Sequence, residues 1–226
     1  MSTDLPEPTL EDLRSAASAL QSSLPASVHA GGLTLKSKLP FKVVVLREVI
    51  VHRMAALATS AVLLLDAKQP LSAAIIVRAA LETTALLHGL SQALERFLAT
   101  KDAAVLDGFL MKGLVGTRWK DAPVQATNVL TLVDRLEKEM PGFREVYDEL
   151  CEYAHPNWSG LTGAFSNNKP EDNYEVLFGP SMRSDARATS ISLLFISLHT
   201  FLHYYNGMIP DLKALNAHFE AVDDEA

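Results

Sequence analysis

Residues 68–82 read Lys68-Gln69-Pro70-Leu71-Ser72-Ala73-Ala74-Ile75-Ile76-Val77-Arg78-Ala79-Ala80-Leu81-Glu82, and this stretch decides the fold. Gln69-Pro70 interrupts a long apolar run. Proline has no N–H and biases the residue before it away from helical geometry, so one helix ends here and another begins. Upstream, Pro40 suits the first turn of a helix reaching about Lys68. Downstream, a second helix runs from about Leu71 to Thr100. Two long helices joined by so short a turn pack antiparallel as a hairpin over residues 40–100.

Shorter helices flank the hairpin. Leu10, Leu13, Ala17, Leu20 and Leu24 recur every three or four residues behind Thr9, which serves as an N-cap with Glu11 and Asp12 in the first turn. This amphipathic helix occupies residues 1–26. Further helices are expected over Ala103–Val115, around Val129, Leu132, Val133 and Leu136, over Phe143–Ala154 before Pro156, over Ser181–Gly207 and over Asp211–Ala221. Residues 159–180 are rich in Gly, Ser, Asn and Pro. They read either as a small hairpin, with Leu161–Phe165 against Tyr174–Phe178 around Asn167–Pro170, or as an ordered lid. Residues 222–226 read as an acidic tail. The expected architecture is all-α: one domain over residues 1–226, a bundle of about seven or eight helices with one irregular insertion.

The chain has 226 residues, is 48% hydrophobic and carries a formal charge of -7, with a pI of about 5.5 and mean hydropathy +0.12. It has ample apolar material for a core. The acidic balance excludes a general nucleic-acid coat but leaves room for a local basic site. The single cysteine, Cys151, excludes an internal disulfide and a multi-cysteine zinc site. Met1–Pro8 lacks a basic segment followed by an apolar run, so no signal peptide is read and a cytoplasmic location is expected. Ala188–Pro210 carries no Asp, Glu, Lys or Arg and is long enough to span a bilayer. Its Ser, Thr, His and Asn content fits a buried bundle helix instead, and no membrane is expected.

Polar residues in apolar surroundings mark the candidate site. Arg47 projects among Val43, Val44, Ile50, Val51 and Met54, where an unpaired cation costs several kcal/mol, so it requires an acidic partner or a ligand. Arg78 and Glu82 are the only charges between Leu71 and Glu82, spaced to share a helix face. They read either as a structural ion pair or as a guanidinium fork oriented by Glu82 to receive an anion. Pro156 places His155 at a helix end, where the dipole favours the imidazolium, and Asn157, Trp158 and Ser159 follow in the loop. His199 and His203 have a spacing that zinc sites use, but no Glu follows His199. They are expected in a hydrogen-bonded interior stripe, with no metal and no cofactor.

The segments Ala74–Glu82 and Tyr147-Asp-Glu-Leu-Cys-Glu-Tyr-Ala-His-Pro-Asn157 resemble bacterial families labelled as domains of unknown function, all-helical proteins with an R-A-x-x-E helix and a late Tyr…Glu-x-x-His-Pro element. The resemblance spans roughly residues 45–205 and implies that Arg78, Glu82 and His155 are marked positions. Those families are distantly similar to HEPN proteins, many of which are metal-independent ribonucleases with an R-x(4–6)-H motif. The matching segment here is Arg47-Glu-Val-Ile-Val-His52, whose Arg and His project about 140° apart on a regular helix.

Three functional expectations follow. The first is a polar pocket built by Arg78, Glu82, His155, Asn157 and Trp158, with His199, His203 and Arg47 as further walls. It would take a small anionic or nucleotide-like ligand, Arg78 meeting the negative group and Trp158 stacking. The second is a HEPN-like ribonuclease or defence effector acting on RNA through His155 and Arg78. The third is a structural bundle that forms a homodimer or larger homo-oligomer through the Leu10–Leu24 seam.

Overall fold

A computed structural model describes residues 7–169, 172–179 and 184–221. The helices are α1 (Leu10–Ser22), α2 (Leu39–Asp66), α3 (Pro70–Thr100), α4 (Ala103–Leu114), α5 (Val129–Glu139), α6 (Phe143–Ala154), the single turn α7 (Thr162–Phe165), α8 (Ser184–Gly207) and α9 (Ile209–Ala221). The chain is an all-α bundle with one two-stranded ribbon, as its periodicity predicts. The acidic tail lies outside the described residues.

Local chemistry sets the helix ends. Thr9 caps α1 through a reciprocal box: its hydroxyl accepts from the Asp12 N–H, and the Asp12 carboxylate accepts from the Thr9 N–H at 2.8 Å. Pro40 lies in the first turn of α2 and Pro70 in that of α3. Lys68 takes a left-handed conformation (φ 58°) to turn the chain between them. Asp102 and Asn128 cap α4 and α5.

α3 is the axis of the bundle. It packs against α2, α4, α5, α6, α8 and α9, and Ala73, Val77, Leu81, Leu87, Leu90 and Leu94 are buried along it. Helices α2 and α3 are long and apolar enough to cross a membrane by length and composition. Both turn their apolar faces into the protein core, as the central helices of a folded bundle do. Sequence reading placed that question on Ala188–Pro210, which the composition of α2 and α3 raises more strongly.

Two expectations are corrected. Leu161–Phe165 is not a strand: Thr162–Phe165 closes a helical turn, and the ribbon pairs β1 (Ser166–Lys169) antiparallel with β2 (Asp172–Phe178), Ser166 opposite Phe178. The Leu10–Leu24 seam is not open to a second copy. Leu13, Ala17 and Leu20 are buried, and α1 packs against α2 and α8 of its own chain.

Candidate functional site

The predicted pair forms. Arg78 and Glu82, one turn apart on α3, meet at 3.1 Å. α6 completes the arrangement. Arg78 Nε donates to Cys151 Sγ at 3.1 Å, an Arg78 terminal nitrogen donates to Tyr147 Oη at 2.9 Å, and the Tyr147 hydroxyl donates to Glu82 Oε1 at 2.9 Å. The Arg78 side chain is 32% exposed. Burial opposes its charge, but the bonds to Tyr147 and Cys151 and the Glu82 carboxylate outweigh burial and hold it firmly protonated. Burial first, then Glu82, pushes the Tyr147 hydroxyl up to about 12. Most of the Arg78 fork is thus committed to the protein. The cluster clamps α6 onto α3 and fixes where the Glu82 carboxylate points.

The sequence analysis did not join Tyr147 and Cys151 to this pair, although their spacing of four residues places them on one face of α6.

The His155 loop is a separate feature. His155 is exposed and caps α6 in the extended geometry that the following Pro156 favours. Asn157 staples the turn. Its amide donates to Glu152 Oε2 at 2.6 Å, and its Oδ1 accepts from the Gly160 N–H at 3.1 Å. Gly160 passes so close that an added Cβ would lie 2.1 Å from the His155 carbonyl oxygen. Trp158 lies against Gly163 and remains 62% exposed. Ser159 and Tyr153, not His155 or Trp158, line a largely apolar cavity of about 440 Å³ at the start of α3.

The remaining expected walls lie elsewhere. Arg47 is 8% exposed and finds the acidic partner it needs in Glu48. It also donates to the Tyr205 carbonyl at 2.8 Å and covers the Tyr205 ring at 3.4 Å, while the Tyr205 hydroxyl donates to Glu48 at 2.6 Å. His52 instead lies 2.9 Å from the Pro25 carbonyl. His199 and His203 are exposed, not interior, and pack against Phe195 and Tyr204 at ring-centre distances of 4.3 and 5.3 Å. Ring contacts rather than an interior hydrogen-bond stripe account for them. Among the described residues, no cluster of three His, Cys, Asp or Glu side chains could hold a metal ion.

A polar cleft that sequence reading missed lies on another side of α3. Its main lobe, about 700 Å³, lies between α3, α4 and α5 and is lined by Arg96, Lys112, Arg135 and Lys138. A second lobe of about 220 Å³ shares Lys112 and Thr127 with the first and adds Arg53 and Glu82. At Gly89 an added Cβ would meet Leu132 at 2.8 Å and Phe109 at 3.3 Å, so α3 draws α5 and α4 close. α5 buries Leu132, Val133 and Leu136 and thereby turns Arg135 and Lys138 outward.

The charges of the cleft are unbalanced. None of its five cations pairs with a carboxylate of the described residues. The two carboxylates are held from the core side: Glu82 by Arg78 and Tyr147, and Glu139 by Gln92 at 2.7 Å, Tyr204 at 3.0 Å and buried His88 at 3.0 Å. His88 is 1% exposed. Its Nε2 approaches Glu139 off the line of a good hydrogen bond, and its Nδ1 has no protein partner. The His88 contact comes first among the causes that hold Glu139 below the usual carboxylate range.

No family model, curated protein or solved structure matches the chain.

Proposed function

We propose that the protein binds a phosphate-bearing, nucleotide-like anion in the α3–α4–α5 cleft. The observation that carries the reading is the set of five cations, Arg53, Arg96, Lys112, Arg135 and Lys138, that have no carboxylate partner among the described residues and line one cleft of a chain with net charge -7. Cations gathered against an opposing net charge gain most from an anion that desolvates them together. The cleft volume lies in the range of small-ligand and cofactor sites. In this reading the Arg78–Glu82–Tyr147 cluster is support. It neutralises the one carboxylate of the smaller lobe and fixes the inner wall.

Calorimetric titration with inorganic pyrophosphate at low salt tests the reading. Lys112→Glu and Arg135→Glu are each expected to weaken binding by roughly tenfold or more, the loss of one charge-assisted contact. Lys68→Glu, in the turn between α2 and α3, leaves it unchanged. Equal affinity in all four proteins, or no binding to the wild type, rejects the cleft.

A further inference from the structure

The loop joining α4 to α5 carries Arg118-Trp119-Lys120 at its tip. Trp119 is 82% exposed, yet the loop is built to hold it. Its N–H donates to Thr117 Oγ1 at 3.0 Å, its carbonyl accepts from the Gln125 amide at 3.1 Å and from the Ala122 N–H at 3.0 Å, and Thr117 and Ala126 close the neck through backbone bonds. At Gly116 an added Cβ would come within 2.3 Å of the Lys112 carbonyl, so the neck is seated directly on α4. Gly116, Ala126 and Thr127 of the same loop line the smaller lobe of the cleft. An ordered loop whose base lines a cation-lined cleft, and whose tip keeps an indole in water between two cations that have no ion-pair partner among the described residues, presents a stacking surface beside an electrostatic track.

The cleft is also long. Its α3 wall runs from Glu82 to Arg96, fourteen helical steps apart, or about 21 Å of helix. That length accommodates several linked phosphates, and the cations are spread along it: Arg53 in one lobe, Lys112 at the junction, Arg96, Arg135 and Lys138 in the other. A mononucleotide occupies one lobe and leaves the rest of the charge and the indole unused.

Resting on the anion-binding reading of the cleft, we infer that the ligand is single-stranded nucleic acid, its phosphodiester chain following the cations and an unpaired base stacking on Trp119. A duplex keeps its bases stacked on one another and offers the indole no face. The acidic remainder of the surface confines the strand to this track.

Anisotropy titrations with labelled oligothymidylate and oligouridylate test the inference beside calorimetry with pyrophosphate. The oligomers are expected to bind at least about tenfold more tightly than pyrophosphate. Trp119→Ala is expected to weaken oligomer binding by about tenfold, as loss of one base–aromatic stack does, and Trp119→Phe to restore most of it. Neither variant changes pyrophosphate affinity. The logarithm of oligomer affinity falls with the logarithm of salt concentration with a slope of about −0.7 per phosphate contacted. If pyrophosphate binds in a Lys112-dependent way but the oligomers bind no tighter, duplex binds better, or Trp119→Ala changes nothing, the single-strand inference is overturned and the cleft reading stands. If neither pyrophosphate nor oligomer binds, both fall.

Discussion

Arg78 Nε on α3 donates to Cys151 Sγ on α6 at 3.1 Å, and this contact, with Tyr147 one turn earlier, makes the R-A-x-x-E motif part of an interhelical clamp. The guanidinium, read from the sequence either as a structural ion pair or as a fork for an anion, is mostly occupied by its own protein. Arg78→Ala leaves Glu82 and Tyr147 without their cation and is expected to cost about 1–3 kcal/mol in denaturant unfolding. Replacing the pair with apolar side chains, Arg78→Met with Glu82→Leu, is expected to recover most of that loss, because no half of the pair is left behind. A double variant as unstable as Arg78→Ala would show that the clamp is more than an ion pair.

The Arg47 cluster is deeper and its loss is larger. Arg47→Met removes the partner of half-buried Glu48 and the donor to the Tyr205 carbonyl. Breaking one side of a buried pair costs about 3–5 kcal/mol, so this variant unfolds at much lower denaturant than Arg78→Ala. The thermal midpoints of the two proteins provide the comparison. An Arg47→Met protein as stable as wild type contradicts the reading.

Alkaline stability follows from three tyrosines. Burial, reinforced by a neighbouring carboxylate in each case, pushes the hydroxyls of Tyr147, Tyr204 and Tyr205 up to about 12 from 10.0. A folded value above the unfolded one contributes stability that is whole below pH 10 and is lost as the pH rises toward 12. Tyrosinate absorbance is expected to show three late-titrating groups that vanish on unfolding. Tyr147→Phe removes one of them. Titration of all tyrosines near 10 would remove the Glu82, Glu139 and Glu48 hydrogen bonds from the account.

At the acid end the sign reverses. Glu139 is held below its ordinary 4.5, by His88 first and then by Gln92 and Tyr204 against the opposing effect of burial. Its contribution to stability is present above pH 4.5 and is lost as the pH falls through the folded value. Carboxyl carbon titration by NMR is expected to place Glu139 below typical glutamates in the wild type and closer to them in His88→Leu. An unchanged value in the variant would show that His88 does not act on Glu139.

The helices were legible because each writes its own boundaries. Thr9 with Asp12, Pro40, Pro70 and Pro156 are local signals, and local signals do not depend on the rest of the chain. The Arg78–Glu82 pair was legible for the same reason, both residues lying on one helix face. Its completion by Tyr147 and Cys151 was not, since it joins residues about seventy positions apart. The cleft was least legible. Arg53, Arg96, Lys112, Arg135 and Lys138 each look like an ordinary solvated position on its own helix, and only the packing around Gly89 gathers them. Arg47 was legible in part: its apolar surroundings showed that it needs an acidic partner or a ligand, and Glu48 beside it and the Tyr205 carbonyl from α8 meet that need.

The most direct test of the account is an amide NMR titration with pyrophosphate at low salt. The account predicts shifts concentrated at Arg96, Lys112, Thr127, Arg135 and Lys138, with the His155–Trp158 loop undisturbed. Shifts centred on that loop, or none at all, would contradict it.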